Sequence, residues 1–234
     1  MIPTPAASGV GVYRPGDRSV SENSHNDVHL GTSGTSALFT GPDDVPLTGH
    51  WNGPGIDRVG VYHRGTATFV LPNADGTTST YPYGNPGDVP LIGDWTGQGR
   101  STIGVYRPGD QTFYLSNDNV NPTIGIKYGN PGWTPLVGNW SGSGADTIGA
   151  YDPNTQMFYL RNTNTPGDAD HVYRFGNPGD TPIKGDWDGT GIDTAGVYRA
   201  TDRSFYGSAK EGTLLTYGTR FGNAGDLPLV GNWG

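Results

Sequence analysis

Aromatic rings, amides and carboxylates, in place of thiols or activated nucleophiles, make up the chemistry that this 234-residue sequence offers. Trp133 occupies a connector position at which sister segments carry Asp44, Asp88, Asp180 and Asp226. An indole where its counterparts carry a charge is expected to be exposed at least in part, and exposed aromatics mark binding surfaces. Tyrosines recur at positions 13, 62, 106, 151 and 198. Packing is the first expectation for them, and Tyr106 and Tyr151 are also candidates to stack on a sugar ring. Asn130 and Asn177, each in a Gly-Asn-Pro-Gly connector, would donate and accept hydrogen bonds beside those rings.

Other chemistries are excluded by what the chain lacks. It has no cysteine, hence no disulfide, thiolate metal site or cysteine nucleophile. His25, His29, His50, His63 and His171 fall at unmatched positions without metal-ligand spacing. There is no Gly-x-Ser-x-Gly elbow, phosphate loop or dinucleotide fingerprint. A net charge of −8 and a pI near 4.9 leave no basic face for nucleic acid or an anionic bilayer. No stretch approaches the ~20 apolar residues of a membrane span, and Met1–Ser8 has neither the basic start nor the apolar core of a signal peptide.

The elements that must position these residues follow from a repeat. Trp51, Trp95, Trp140, Trp187 and Trp233 each close a Gly-x-Trp step, and they stand 44 to 47 residues apart. One unit of this length cannot bury its own apolar face, so copies must stack or close into a ring. Within one copy, Val89–Trp95, Ile103–Arg107, Thr112–Ser116 and Ile124–Tyr128 read as four short strands separated by glycine-rich turns. That is the content of a propeller blade. The second strand alternates apolar, Gly, apolar, Tyr, as in Ile103-Gly104-Val105-Tyr106. A glycine inside a strand implies a close approach, here expected from a tryptophan of the neighbouring blade. The sequence starts just before a second strand, at Val10, and stops just after a first one, Leu227–Trp233. The expected fold is therefore all-β: one domain over residues 1–234, a five-bladed β-propeller of four-stranded blades, closed by pairing the C-terminal strand with the N-terminal ones.

The segment Gly185-Asp186-Trp187-Asp188-Gly189-Thr190-Gly191-Ile192-Asp193 resembles the calcium-loop pattern of FG-GAP and VCBS-type repeats. Those repeats build integrin-α-like propellers and some fungal and bacterial propeller lectins, and the resemblance extends over nearly the whole chain. It implies an adhesion, recognition or carbohydrate-binding role. A hard cation such as Ca²⁺ wants six to eight oxygens, several of them carboxylate. Only the loop with Asp186, Asp188 and Asp193 offers three carboxylates, so these are the candidate metal ligands. The matching positions elsewhere are His50, Asn52, Pro54 and Asp57; Asp94, Thr96, Gln98 and Ser101; and Asn139, Ser141, Ser143 and Asp146. The competing expectation is that these side chains cap their own loops as Asx turns. Arg14, Arg107 and Arg199, with His63 and Asp152 as counterparts, are expected to form weak surface pairs with the connector aspartates.

The functional expectation is a non-catalytic, lectin-like module with near-equivalent shallow sites between blades, binding glycans or cell-surface glycoconjugates by avidity. Such a module would be secreted or cell-surface, bacterial and monomeric, with no required cofactor and Ca²⁺ confined to the Asp186–Asp193 loop. The alternative is a scaffold for a protein partner around Trp133. The remote alternative is a glycosidase with its carboxylates in a central funnel.

Overall fold

The computed structural model describes residues 7–24, 27–29, 38–53, 55–122, 124–208 and 215–233. Met1–Ala6, His25 and Pro54, which entered the sequence reading, lie outside them. Among the described residues twenty strands form five antiparallel four-stranded sheets. The first blade is β4 (Asp44–Gly49), β5 (Arg58–His63), β6 (Thr68–Pro72) and β7 (Thr78–Pro82). The second is β8 (Val89–Gly93), β9 (Thr102–Arg107), β10 (Thr112–Leu115) and β11 (Ile124–Lys127). The third is β12 (Thr134–Gly138), β13 (Thr147–Asp152), β14 (Met157–Leu160) and β15 (His171–Arg174). The fourth is β16 (Thr181–Gly185), β17 (Thr194–Arg199), β18 (Ser204–Ser208) and β19 (Leu215–Arg220). The closing blade joins both ends of the chain in the order β20 (Leu227–Gly231), β1 (Gly9–Arg14), β2 (Ser19–Ser24) and β3 (Asp27–His29). Its seam pairs Gly9 with Gly231 and Tyr13 with Leu227. Neighbouring inner strands touch all the way round, from β4 through β8, β12 and β16 to β20 and back to β4. The chain is a five-bladed β-propeller, as expected.

The period-two pattern of each second strand divides its residues between two interfaces. Ile103 and Val105 pack backward on Leu47, Trp51, Tyr62, Phe69 and Tyr83 of the first blade. Tyr106, on the opposite face, packs forward with Trp95, Phe113 and Tyr128 against Ile148 and Ala150 of the third. The same division repeats at every interface, so the core is five apolar seams in place of one centre. The tryptophan does meet the strand glycine, but within its own blade: a Cβ on Gly196 would lie 2.7 Å from Cζ2 of Trp187. The reason is that the chain turns after the inner strand and swings the indole back beneath it. Strand β8 accordingly ends at Gly93, before the tryptophan. In the second and third blades the indole N–H donates to a carbonyl at the start of the next strand of its own blade, from Trp95 to Ile103 at 3.2 Å and from Trp140 to Thr147 at 3.1 Å.

A second ring of contacts joins the blades near the axis. The residue that ends each post-tryptophan loop grips the residue before the tryptophan of the preceding blade twice. Asp146 N–H donates to the Asp94 carbonyl at 2.8 Å, while its Oδ2 accepts from Asp94 N–H at 2.8 Å. Asp193 does the same to Asn139, Asp57 to Asn232, Ser101 to His50 and Ser8 to Asp186. Five such clamps complete a circle, and a serine hydroxyl serves as well as a carboxylate.

Candidate functional site

The connectors explain most of the polar geometry on one end of the propeller. Asn85-Pro86-Gly87-Asp88 is a turn with proline at its second position and Gly87 at φ +93°, closed by Asp88 N–H donating to the Asn85 carbonyl at 3.0 Å. This holds the Asp88 carboxylate, with 3% of its side chain exposed, against the Arg107 guanidinium at the end of β9. Arg107 Nε and Nη2 donate to its two oxygens at 3.1 and 2.9 Å, and Asn85 N–H adds a third bond at 2.9 Å. Arg199 and Asp180 repeat the fork at 2.9 and 2.8 Å, and Arg14 with Asp226 at 3.1 Å for both bonds. These are not the loose surface pairs expected. Because the carboxylates are buried, losing the arginine would strand a charge rather than release a weak contact. In the first blade His63 Nδ1 stands 2.7 Å from Asp44. Burial resists ionisation of Asp44, but His63 and the N–H groups of Gly41 and Thr40 outweigh it and hold the carboxyl below its ordinary range.

Two blades add an aromatic floor to this frame. The Arg107 guanidinium lies 4.5 Å from the Tyr114 ring centre, and Arg199 lies 4.6 Å from that of Tyr206. Each phenol in turn donates to its hairpin aspartate, Asp110 at 2.9 Å and Asp202 at 2.8 Å. With their amide oxygens turned to the guanidinium, Asn85 and Asn177 both accept from Nη2 at 2.9 Å. The frame opens on a groove of about 500 Å³ between the first and second blades, lined by Pro82, Tyr83, Asn85, Arg107, Tyr114 and Pro122 among others.

The third blade departs from this scheme at both ends of the pair. Trp133 replaces the aspartate and Asp152 the arginine, and the indole stacks on Tyr159 with centroids 4.4 Å apart at 18°. The ring takes the place over Tyr159 that a guanidinium takes over Tyr114 and Tyr206. Trp133 is half-buried, which agrees with the partial exposure expected of it, and it also packs against the seam between the second and third blades. Asp152 turns instead to its own hairpin, accepting from Asn154 N–H at 2.9 Å and Thr155 Oγ1 at 2.7 Å. Of the remaining candidates, Asn130 and Asn177 are exposed in their connectors. Tyr106 and Tyr151 are 3% and 1% exposed, with their rings tilted on Phe113 and Phe158. Neither phenol presents a face on which a sugar could stack.

The loop with Asp186, Asp188 and Asp193 divides its carboxylates among three tasks. Asp186 accepts from Thr190 N–H at 2.9 Å and from Gly191 N–H at 2.7 Å, one on each oxygen. Burial pushes its carboxyl above the ordinary range, with those N–H groups pulling the other way. Asp188 caps Thr190, and Asp193 leaves the loop to clamp Asn139 and bind Lys184 Nζ at 2.9 Å. N–H donors thus fill the positions at which a Ca²⁺ site needs oxygens, and no group of three or more such ligands converges among the described residues. The arrangement does not fit a bound calcium ion and matches self-capped Asx turns.

An axial cavity of about 610 Å³ runs between the inner strands. Its wall carries Thr48, Ile92, Val137 and Val230, and at the same position of the fourth blade Lys184. Sequence reasoning passed over Lys184, although one cation among uncharged counterparts was visible there. Burial would lower its affinity for a proton, but the carboxylates of Asp193, Asp146 and Asp57 prevail and hold the ammonium charged. Burial also pushes the Asp146 carboxyl up to about 6. At the same mouth His50 Nδ1 lies 3.0 Å from Asp57 Oδ1.

The fold and these grooves define a β-propeller with polar and aromatic inter-blade clefts. Compared with protein-family models, with curated proteins and with solved structures, the chain has no significant match.

Proposed function

We propose that the chain is a non-catalytic carbohydrate-recognition module that binds through its inter-blade grooves. The observation that carries this reading is the groove between the first and second blades, where an amide, a guanidinium and tyrosine edges meet proline walls. Pyranose rings present the complement, hydroxyls around the rim and apolar C–H patches on the faces. The charges in the groove are already paired, Arg107 with Asp88, so the fit is to neutral hydroxyls. Related frames around the ring, at Asn177–Arg199–Tyr206 and at Arg14–Asp226, would let weak sites act together on a repeated glycan. Such a role agrees with the resemblance to FG-GAP-type repeats.

A glycan array probed with and without chelator tests this directly. The expected result is binding to neutral saccharides that survives chelation, because the Asp186 loop is capped by its own N–H groups. An array without signal would transfer the reading to a protein partner on the Trp133 side. Turnover of aryl glycosides abolished by Asp146→Asn would mean that the axial carboxylates, and not the grooves, are the working part.

A further inference from the structure

Five related grooves need not be five equal sites, and the differences among them are large. We infer that the groove between the first and second blades is the single principal site, taking one neutral hexopyranose unit, and that its neighbour between the second and third blades is stoppered by Trp133. This rests on the carbohydrate reading above.

Three features come together in this groove, and no other described groove combines them. It holds an open volume of about 500 Å³, walled by Pro82 and Pro122. It has the complete polar frame, with Asn85 and Arg107 beside Tyr114. And it is lined by Tyr83, 8% exposed, whose hydroxyl is buried with no hydrogen-bond partner. Sister connectors place Phe39, Phe175 and Phe221 at that position, so packing alone does not require an oxygen there. An unpaired buried hydroxyl costs about 1–3 kcal/mol, a deficit that a ligand hydroxyl would remove once a small turn of the ring uncovers the oxygen.

The other grooves each lack something. In the frame of the fourth blade Arg174 and Phe175 replace Pro82 and Tyr83, and Arg174 is tied across to Gln156 at 2.9 Å. Val70 and Ser21 stand where the first and closing blades would need the aromatic floor. The second-to-third groove keeps an unpaired phenol at Tyr128, but there the indole of Trp133 lies flat on Tyr159 in place of a guanidinium. Tyr128 is therefore the internal control for Tyr83: the same residue and the same unpaired oxygen, without the open frame.

The experiment uses the intact chain and a panel of methyl glycosides of glucose, galactose, mannose and N-acetylglucosamine, with methyl uronates alongside, titrated by NMR at millimolar concentration. The expected result is one dominant site for a neutral glycoside, with uronates weaker. Tyr83→Phe should weaken it roughly fivefold to tenfold with an unchanged or higher melting temperature, since phenylalanine already serves in the sister connectors. Tyr128→Phe should leave affinity unchanged. Equal binding at several grooves, loss of affinity in Tyr128→Phe, or wild-type affinity in Tyr83→Phe would overturn the assignment while leaving carbohydrate recognition standing. A panel and an array both without binding would overturn the two together.

Discussion

At the scale of single residues, the indoles govern where side chains are allowed. Each Gly-x-Trp glycine is close-packed because the ring folds back onto the strand that precedes it. A Cβ on Gly93 would sit 2.5 Å from Cζ3 of Trp95 and 2.7 Å from its Cη2. Neither that ring nor the seam it fills can yield without opening the interface to the third blade. Gly93→Ala is therefore expected to cost about 1–3 kcal/mol in urea unfolding with an unchanged slope, the signature of overpacking in an otherwise intact fold. The repeated tyrosines and tryptophans were legible as packing because they recur at fixed steps. The direction from which the indole reaches its glycine was not, since spacing gives the register of a strand but not the path of the turn after it. Lys184 was missed for a similar reason: attention to residues that obey the period passes over the one cation that departs from it.

At the scale of elements, the loops after the tryptophans act as fasteners more than as ligand sites. Ser101 illustrates this, since it is 7% exposed and its Oγ accepts from His50 N–H at 3.0 Å across the blade boundary. Ser101→Ala would leave that N–H buried and unpaired, and the expected loss is about 1–2 kcal/mol by chemical denaturation, whereas Ser101→Asp, copying three of the four sister clamps, should recover most of it. The sequence displayed these loops as a carboxylate-rich motif. It could not display that the last carboxylate belongs to the next interface, because that depends on how two blades are set against each other. The arginine forks have the same character. Arginine and connector aspartate were readable as partners 19 residues apart, as in Arg107 with Asp88, but the burial that turns a weak pair into a strong one comes from the type II turn beneath it.

For the whole molecule, charge at the axial mouth sets the response to pH. The Asp57 carboxylate raises the proton affinity of His50 above its ordinary range, in spite of burial and Lys184. Burial, helped by Asp193 and Asp94, raises Asp146 to about 6. Both groups bind protons more tightly folded than unfolded, so both contributions are full at low pH and fade as pH rises. The Asp146 part fades between about pH 4 and 6, and the His50 part from about 6.5 upward to its folded value. Asp44 and Asp202 shift the opposite way and lose their contributions only as pH falls below about 4. Stability should accordingly peak under mildly acidic conditions and fall by about 1–2 kcal/mol toward pH 8, as read from melting curves. Asp146→Asn should flatten the part of that decline below pH 6. The ring itself, five blades and their closure, was fully legible from the repeat, whereas the inequality of the grooves emerged only from the way Trp133 fills one and leaves another open.

The closing blade, joined by the pairing of β20 with β1, meets the first blade through the same apolar filling and the same two-bond clamp as every other part of the circle. Tyr13, Phe39 and Leu229 pack on Val59 and Val61 as their sister residues do elsewhere, and Asp57 fastens Asn232 as Asp193 fastens Asn139. A circularly permuted gene, with the present ends fused and a cut placed in the exposed turn at Asn130–Gly132, would thus encode the same ring broken at another spoke. To such a molecule the cyclic order of the blades matters more than the point at which the ring is cut.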